Sequence, residues 1–420
     1  MFADLLILSN GPGEVATWVR PVVQCLREQF PDASTLRISL VLSPCPHATG
    51  QELAIARRFA GIDRFQGAEH FFPFLLWGHT AEAWDWRDRG LVLFLGGDQF
   101  FALCCGKRLG YRILTYVEWD ARWVPWIDGV AAMSPRVLAS VPAPHQAKVT
   151  IVGDLIADAT ALSPAVNTTS TPSAEPIGSD PQDEWVALLP GSKSTKLGLG
   201  LPFMLAIADY IHRLRPQTRF WIPVAPTLTL ETLARYAQPE HNDLIAVIQG
   251  AAAVLNPEQA TLETASGLQV KLVETFPAYD RLCQSALALT TVGANTGELG
   301  ALGVPMLVLL PTQHLSIMRA WDGIPGLVVR LPWLGPKIAA WLTGEMLRRN
   351  PLLAWPNIWA GKAIVPELVG NLTPAEVGDQ ALDYLAHPEQ RQTMQAALRK
   401  ARGETGAAQR IVDLIKTLLA

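Results

Sequence analysis

Charge is scarce in this chain, and cysteine is scarcer. Only 17% of the 420 residues are charged, and 34 basic against 38 acidic side chains leave a net charge of −4. Nucleic-acid binding draws on clustered positive charge, and no such excess is present, so no nucleic-acid partner is expected. The five cysteines include the neighbours Cys104 and Cys105 but no C-x-x-C pair. That set supplies neither a zinc site nor a secreted disulfide framework, and it suits a reduced, cytoplasmic compartment. No apolar run reaches the length of a membrane span. The N-terminus opens directly on a strand without a basic leader, so no signal peptide is expected. Short-period repeats are also missing.

What is present is apolar bulk. Hydrophobic residues make up 49% of a chain too long for one ordinary core, so two domains are expected. Tryptophan occurs 14 times, with a cluster at Trp77, Trp84, Trp86, Trp119, Trp123 and Trp126. Core and interdomain packing accounts for such residues, as does a surface for an apolar or lipidic ligand, since indole joins a large apolar body to one polar handle. The stretch "HFFPFLLWGH", His70 to His79, is the best candidate for that surface and reads equally as a buried segment.

Short apolar strands alternate with helical patterns in two blocks, which predicts parallel sheets covered by helices. Residues 1–158 form the first block. Residues 159–184, "TALSPAVNTTSTPSAEPIGSDPQDE" at their heart, are Ser/Thr/Pro-rich and read as a flexible linker or exposed insertion. Residues 185–372 form the second block. Residues 373–420 read as C-terminal helices that pack back on the first domain or on a partner subunit, a homodimer being the second case. Ligands of such sheets bind beyond the carboxyl ends of the strands, so a cleft between the two halves is expected.

The first strand ends in "SNGPGEVATW". Gly11, Gly13 and Ala16 match the dinucleotide fingerprint G-x-G-x-x-G/A, but its companion acid does not follow. The second strand, "RISLVLSP", ends without a carboxylate to hold a ribose, and Pro12 removes one backbone donor from the loop. A nicotinamide cofactor is therefore not expected. The loop around Asn10, Gly11 and Gly13 instead lets an acceptor molecule approach the backbone, with Glu14 projecting toward it. The plainer alternative is a tight turn with Glu14 favouring the helix dipole. Asp98 follows the strand Leu91 to Leu95 and so falls at a carboxyl end, as a catalytic group or as a buried structural acid.

In the second block, a strand from Ala286 to Thr291 leads into Gly293-Ala294-Asn295-Thr296-Gly297-Glu298 and then a short helix. The amides of Thr296, Gly297 and Glu298 are expected at the helix N-terminus, where a diphosphate is favoured, and Glu298 could accept from a ribose. A plain βα turn is the alternative. A second turn, Pro190-Gly191-Ser192-Lys193, lacks P-loop spacing but places Lys193 as a positive charge near the same diphosphate. The chain has no D-x-D pair, so no metal clamp is expected. The segment "LAWPNIWAGKAIVPELVG" carries Asn357, Lys362 and Glu367.

Together these stretches resemble the lipid-A-disaccharide synthase family of glycosyltransferases. "LLPGSK" is similar to the family's strand-PGSR turn, "TVGANTGELGALGVPM" to its SGT-x-x-LE turn, and "WPNIWAGKAIVPELVG" to its LPNILAGR…VPELLQ segment. "GPGEVATW" stands for its GEASGD loop, "FLGGDQFF" for D-x-PDFN, "YVEWDARWVPW" for YVSP…WAWR, and "VTIVGDLIAD" for YVGHPLAD. The resemblance implies an α/β GT-B-like fold of two Rossmann-like domains with parallel sheets facing a central cleft. It implies a UDP-sugar donor in the second domain, used as substrate with no cofactor, and a lipid-linked sugar acceptor. It carries over Asp98 as general base, with Glu14 as the fallback, and Lys193, Glu298 and Asn357 on the donor side; Gly191, Ser192, Gly293, Asn295, Thr296, Gly297 and Lys362 belong to the same stretches. Three departures stand out: Trp18 replaces the acid ending GEASGD, Lys193 replaces an arginine whose planar fork it cannot reproduce, and Gly370 replaces the final glutamine.

The resulting expectation is a metal-independent transfer of an N-acetylglucosamine-type or acylated glucosamine unit from a UDP-sugar to a glycolipid acceptor at the inner membrane face. A UDP-sugar epimerase or hydrolase on the same scaffold, and a non-catalytic nucleotide-sugar binder, are the two other readings.

Overall fold

The computed structural model describes residues 2–44, 52–161, 184–192, 194–312, 352–402 and 404–420. The chain divides into two compact units, one formed by Met1–Ser163 with Gly403–Ala420 and the other by Pro164–Arg402.

In the first unit, seven strands form one all-parallel sheet: β1 (Ala3–Ser9), β2 (Leu36–Leu42), β3 (Arg64–Gln66), β4 (Gly90–Phe94), β5 (Arg112–Val117), β6 (Gly129–Ala132) and β7 (Val149–Ile151). Their spatial order is β3-β2-β1-β4-β5-β6-β7. Every residue of β1 is buried. Leu5 and Ile7 pack into one layer with Val19, Val22 and Leu26, while Leu6 and Leu8 face Phe71, Phe74 and Ala102 on the other side. A parallel strand covered on both faces reads as an unbroken apolar run, which is why "DLLILS" stands out. From β1 the chain moves to β2 on one side, and β4 takes the other. The turns after β1 and β4 therefore lie at a topological switch point, the usual place for a ligand in such a sheet.

The second unit holds eight strands: β8 (Glu184–Leu189), β9 (Thr218–Pro223), β10 (Ala253–Asn256), β11 (Thr261–Thr264), β12 (Gln269–Val273), β13 (Leu287–Thr291), β14 (Met306–Pro311) and β15 (Glu367–Gly370). Their order is β10-β11-β12-β9-β8-β13-β14-β15. The pairs from β12 through β15 are parallel, whereas β10–β11 and β11–β12 are antiparallel. This antiparallel edge is absent from the sequence reading. Its switch point lies between β8 and β13.

Several segment boundaries move. Residues 159–161 belong to the helix Leu155–Ala161, with Ala159 and Thr160 buried, and β8 already begins at Glu184. Most of the Ser/Thr/Pro-rich linker, 162–183, lies outside the described residues. The three C-terminal helices do not act as one segment. Pro374–Ala386 and Pro388–Ala401 stay with the second unit, where Val377, Ala381 and Leu385 join the core beside the helix Ser194–Leu214. Only Ala407–Leu419 belongs to the first unit, burying Ile411, Val412, Ile415 and Leu419 on the Leu5/Ile7 face. Asp158 caps this helix by accepting from the amides of Gly406 (2.5 Å) and Ala408 (2.6 Å). The amphipathic face of "AAQRIVDLIKTLLA" is thereby spent within its own chain. Among the described residues no helix is long and apolar enough to cross a membrane.

Candidate active site

The switch point of the first unit is built from glycine. Gly96 and Gly97 follow β4 at φ +125° and +103°, a left-handed conformation that L side chains resist. Space excludes a Cβ there too. One at Gly96 would stand 3.0 Å from Asn10 Oδ1 and 3.2 Å from Glu14 Cγ, and one at Gly97 would meet Ser43 Oγ at 2.6 Å. Gly11 likewise leaves its side-chain position to the Glu14 carboxyl. The loop after β1 thus folds Glu14 back across the switch point. It passes at once into a π-helical turn, Val15–Val19, in which the Thr17 hydroxyl donates to the Gly13 carbonyl at 2.8 Å; such turns recur at functional sites. Asn10 Oδ1 is buried with no hydrogen-bond donor among the described residues.

Two further acids arrive at the same carboxyl ends. Glu118 follows β5, and Asp154 follows β7 through Gly153. Burial pushes the Glu118 carboxyl up to about 8, with the negative charges of Asp154 and Glu14 adding to the shift. Asp154 is raised to about 6 by burial; the Ile156 amide, 2.9 Å from its Oδ1, opposes the rise and the charge of Asp158 reinforces it. The Tyr116 hydroxyl lies alongside. It donates to the Gly153 carbonyl at 3.3 Å, accepts from the Leu155 amide at 3.2 Å, and is held protonated by burial and by Asp154. Two carboxyls raised by burial at the same sheet end are candidates for moving protons in a reaction.

Asp98 is placed differently. It is exposed, and its Oδ1 accepts from the Phe100 amide at 2.9 Å to cap the helix Gln99–Leu109. In the sequence, Asp98 stands out as an acid just past an apolar strand. The same rule points to Glu118 and Asp154, both inside stretches singled out only for their resemblance.

An aromatic surface lies on the same unit. In the helix Phe71–Trp77, Phe71 and Phe74 are buried while Phe72, Leu76 and Trp77 are exposed, Trp77 by 63%. One face of "FFPFLLW" is thus part of the core and the other is exposed. Phe100, Trp119, Trp123 and Trp126 are exposed as well. Phe100 and Trp126 lie 5.2 Å and 5.9 Å from Trp123, centroid to centroid.

In the second unit, β13 ends at Thr291 and the helix Ala294–Leu302 follows a glycine at φ +149°, Gly293. The helix starts earlier than the sequence suggests. Its opening amides are those of Ala294 and Asn295, whereas Thr296 N already donates to the Gly293 carbonyl, and Gly297 and Glu298 lie inside the helix. Thr296 is fully buried, its hydroxyl donating to Gly293 O at 2.8 Å and accepting from Trp355 N at 3.1 Å. Burial raises the Glu298 carboxyl to about 7, against the pull of a hydrogen bond from Tyr279. Gly191 stands at φ +102° and Ser192 is exposed. Lys193 lies outside the described residues.

Asn357 departs from the expected donor-side role. It is fully buried, and its amide is wholly engaged within the fold. Nδ2 donates to Val365 O (2.9 Å) and Glu367 Oε1 (2.7 Å), while Oδ1 accepts from Ile364 N (2.7 Å) and Val365 N (2.9 Å). Glu367 in turn accepts from the amides of Leu353 and Ala354. The PNI…VPEL segment is thus a braced loop, with exposed Lys362 at its tip. Asn357→Ala would leave two buried amides without acceptors, each lost partner costing about 1–3 kcal/mol. Denaturant melting should show a loss of about 3 kcal/mol. Among the described residues no cluster of His, Cys, Asp and Glu could hold a metal ion.

No family model matches the chain. Among curated proteins it is similar to the lipid-A-disaccharide synthase of Anaeromyxobacter sp. (strain K), 29% identical over 54% of this chain and 48% of the relative. The chain therefore spans about half the length of that relative. The lipid-A-disaccharide synthase of Geobacter metallireducens is 24% identical over 74% of this chain and 70% of the relative. Three solved structures share the two-unit α/β fold over nearly their whole lengths. The S. aureus MnaA–UDP complex has a TM-score of 0.56 at 13% identity, covering 100% of this chain and 97% of the other. The UDP-GlcNAc 2-epimerase of Neisseria meningitidis bound to UDP-GlcNAc has 0.53 at 13%, covering 99% and 100%. The glycosyltransferase of kitacinnamycin has 0.51 at 12%, covering 100% and 99%.

Proposed function

We propose that this chain is a metal-independent glycosyltransferase that moves an N-acetylglucosamine-type or acylated glucosamine unit from a UDP-sugar to a lipid-linked sugar acceptor, in the manner of a lipid-A-disaccharide synthase. The observation that carries this reading is the set of carboxyls, Glu14, Glu118 and Asp154, gathered beside glycine-cleared loops at the carboxyl ends of the first sheet. Sugar transfer to a hydroxyl needs a base there. The switch point of the second unit suits the nucleotide, with two glycine turns and a helix N-terminus that favours a diphosphate. Distant likeness to lipid-A-disaccharide synthases supports the reaction class, and the fold shared with UDP-bound proteins supports the donor.

In this reading Glu118 takes the proton from the acceptor hydroxyl, and Asp154 and Glu14 set its basicity. Asn10 Oδ1 offers an acceptor to the incoming sugar. Asp98 keeps the helix cap and the loop in place instead of serving as the base. The exposed Phe72, Leu76, Trp77, Trp123 and Trp126 meet the lipid part of the acceptor, and the surface that carries it, through aromatic side chains suited to a membrane interface.

A second reading has its own support: two of the whole-length fold relatives are complexes with UDP or UDP-GlcNAc, and one of them is named an epimerase. Two buried carboxyls of raised pKa also suit proton exchange at a sugar carbon. Incubation with UDP-N-acetylglucosamine, with and without a glycolipid acceptor, separates the two. Transfer predicts UDP release only when acceptor is present, together with a new glycoside. An epimeric UDP-sugar formed without acceptor would establish the second reading instead.

A further inference from the structure

β8 and β13 run side by side, and each ends in a glycine turn that feeds a helix. The two turns are therefore neighbours at the carboxyl ends, on either side of the switch point. Lys196, in the first turn of the helix Ser194–Leu214, spans them. Its stem lies over Gly191, where a Cβ would come within 3.2 Å of the lysine Cβ and Cδ. Its Nζ donates to the Val292 carbonyl at 2.8 Å. A Cβ on Gly293 would stand 3.1 Å from the same Nζ. Two glycines thus clear the path of one lysine, one beneath its stem and one beside its ammonium. The ammonium is delivered to the turn from which the helix Ala294–Leu302 starts. The sequence gives Lys196 no prominence, because the PGSK turn draws attention to the residue three positions earlier.

We propose that Lys196 is a binding residue for the diphosphate of the nucleotide donor. The inference rests on the UDP-sugar reading given above and adds to it the cation that meets the phosphates. An ammonium is a compact point charge, and its bond to Val292 O directs it to this turn. In the transfer step the bond between the sugar's anomeric carbon and the β-phosphate oxygen breaks, and its electron pair stays on that oxygen. The acceptor oxygen forms the new bond to the anomeric carbon and loses its proton to the general base. Lys196 stabilises the charge left on the departing diphosphate, where fixed positive groups have their largest effect.

The test is calorimetric titration of the full chain with UDP and, in parallel, with uridine, which lacks the phosphates. Lys196→Met should weaken UDP about 10- to 100-fold, the range of a lost charge-assisted contact, and leave uridine unchanged. Lys196→Arg should recover part of the loss, and raised salt should narrow the gap between wild type and Lys196→Met. If Lys196→Met binds UDP as wild type does, or loses UDP and uridine equally, Lys196 only shapes the loop and the inference falls while the donor reading stands. If the wild type binds no UDP, the donor reading itself falls. Should the methionine variant not fold, Lys196→Gln, which keeps a donor for the Val292 carbonyl, is read by the same UDP-to-uridine ratio.

Discussion

Glu118→Gln is expected to lower turnover by about 10²- to 10⁴-fold, the usual contribution of a positioned general base, with UDP affinity essentially unchanged. The change keeps size and shape and removes only the ability to take a proton. It should also stabilise the protein. The carboxyl holds its proton to about pH 8 in the folded state but releases it near its ordinary value, about 4.3, once unfolded. Between those values the unfolded chain binds fewer protons than the folded one, so wild-type stability falls as pH rises through that window. The glutamine variant escapes the loss, and thermal melts at pH 8 should place it above wild type by several degrees. Asp98→Asn, in contrast, should keep most of the turnover, because asparagine is as good a helix cap as aspartate.

Asp154→Asn refines the same prediction. Part of the upward shift at Glu118 comes from the Asp154 charge. With that charge gone Glu118 ionises more readily, and the acid limb of the rate profile should move to lower pH. An unmoved limb would remove Asp154 from the group that sets the base.

The second large effect lies at the opposite end of the same sheet. Asp4→Ala should cost about 3–5 kcal/mol, the usual result of removing one partner from a buried ion pair. Asp4 is fully buried on β1. It receives Arg37 through two bonds of 2.8 and 3.0 Å, the Tyr111 hydroxyl at 2.9 Å and the Arg87 amide at 2.9 Å, with the Arg87 guanidinium 3.7 Å away. The alanine variant removes the buried acceptor shared by Arg37, Tyr111 and the Arg87 amide, while Arg37 keeps Asp85, Tyr111 keeps the Arg87 carbonyl and the Arg87 guanidinium keeps the carbonyls of Ala3 and Ala33. Chemical denaturation should show the loss, and whatever protein remains folded should turn over at the wild-type rate. The two variants thus separate an end of the sheet that holds the fold from an end that does chemistry.

How much of this could be read from residues alone follows from burial. The central strands β1, β4, β8, β13 and β14 are recognisable because both faces are covered, which leaves continuous apolar runs. The β10–β11 hairpin is not, because its strands are short, lie at the sheet edge and leave Val254 69% exposed. The glycine turns are visible, but their register is not: Gly293 and Ala294 read as turn, although the helix begins at Ala294. Polar motif residues proved the hardest to assign. Asn357 and Thr296 look like ligand contacts in a motif and are internal braces in the fold, since nothing in a linear pattern tells which way an amide or hydroxyl points. Glu118 and Lys196 go unnoticed for the converse reason. Each draws its place from another strand, Glu118 from the end of β7, two strands along from its own, and Lys196 from the end of β13 beside β8.

This chain is expected to hold a UDP-sugar, and a thermal-shift titration with UDP, UDP-N-acetylglucosamine and NAD in parallel measures that binding. Ligand at about 100 times its dissociation constant should stabilise the fold by roughly 2.7 kcal/mol. The uridine nucleotides should raise the melting temperature and NAD should not. A rise with NAD alone would contradict this and return Gly11, Gly13 and Ala16 to the dinucleotide role that their spacing first suggests.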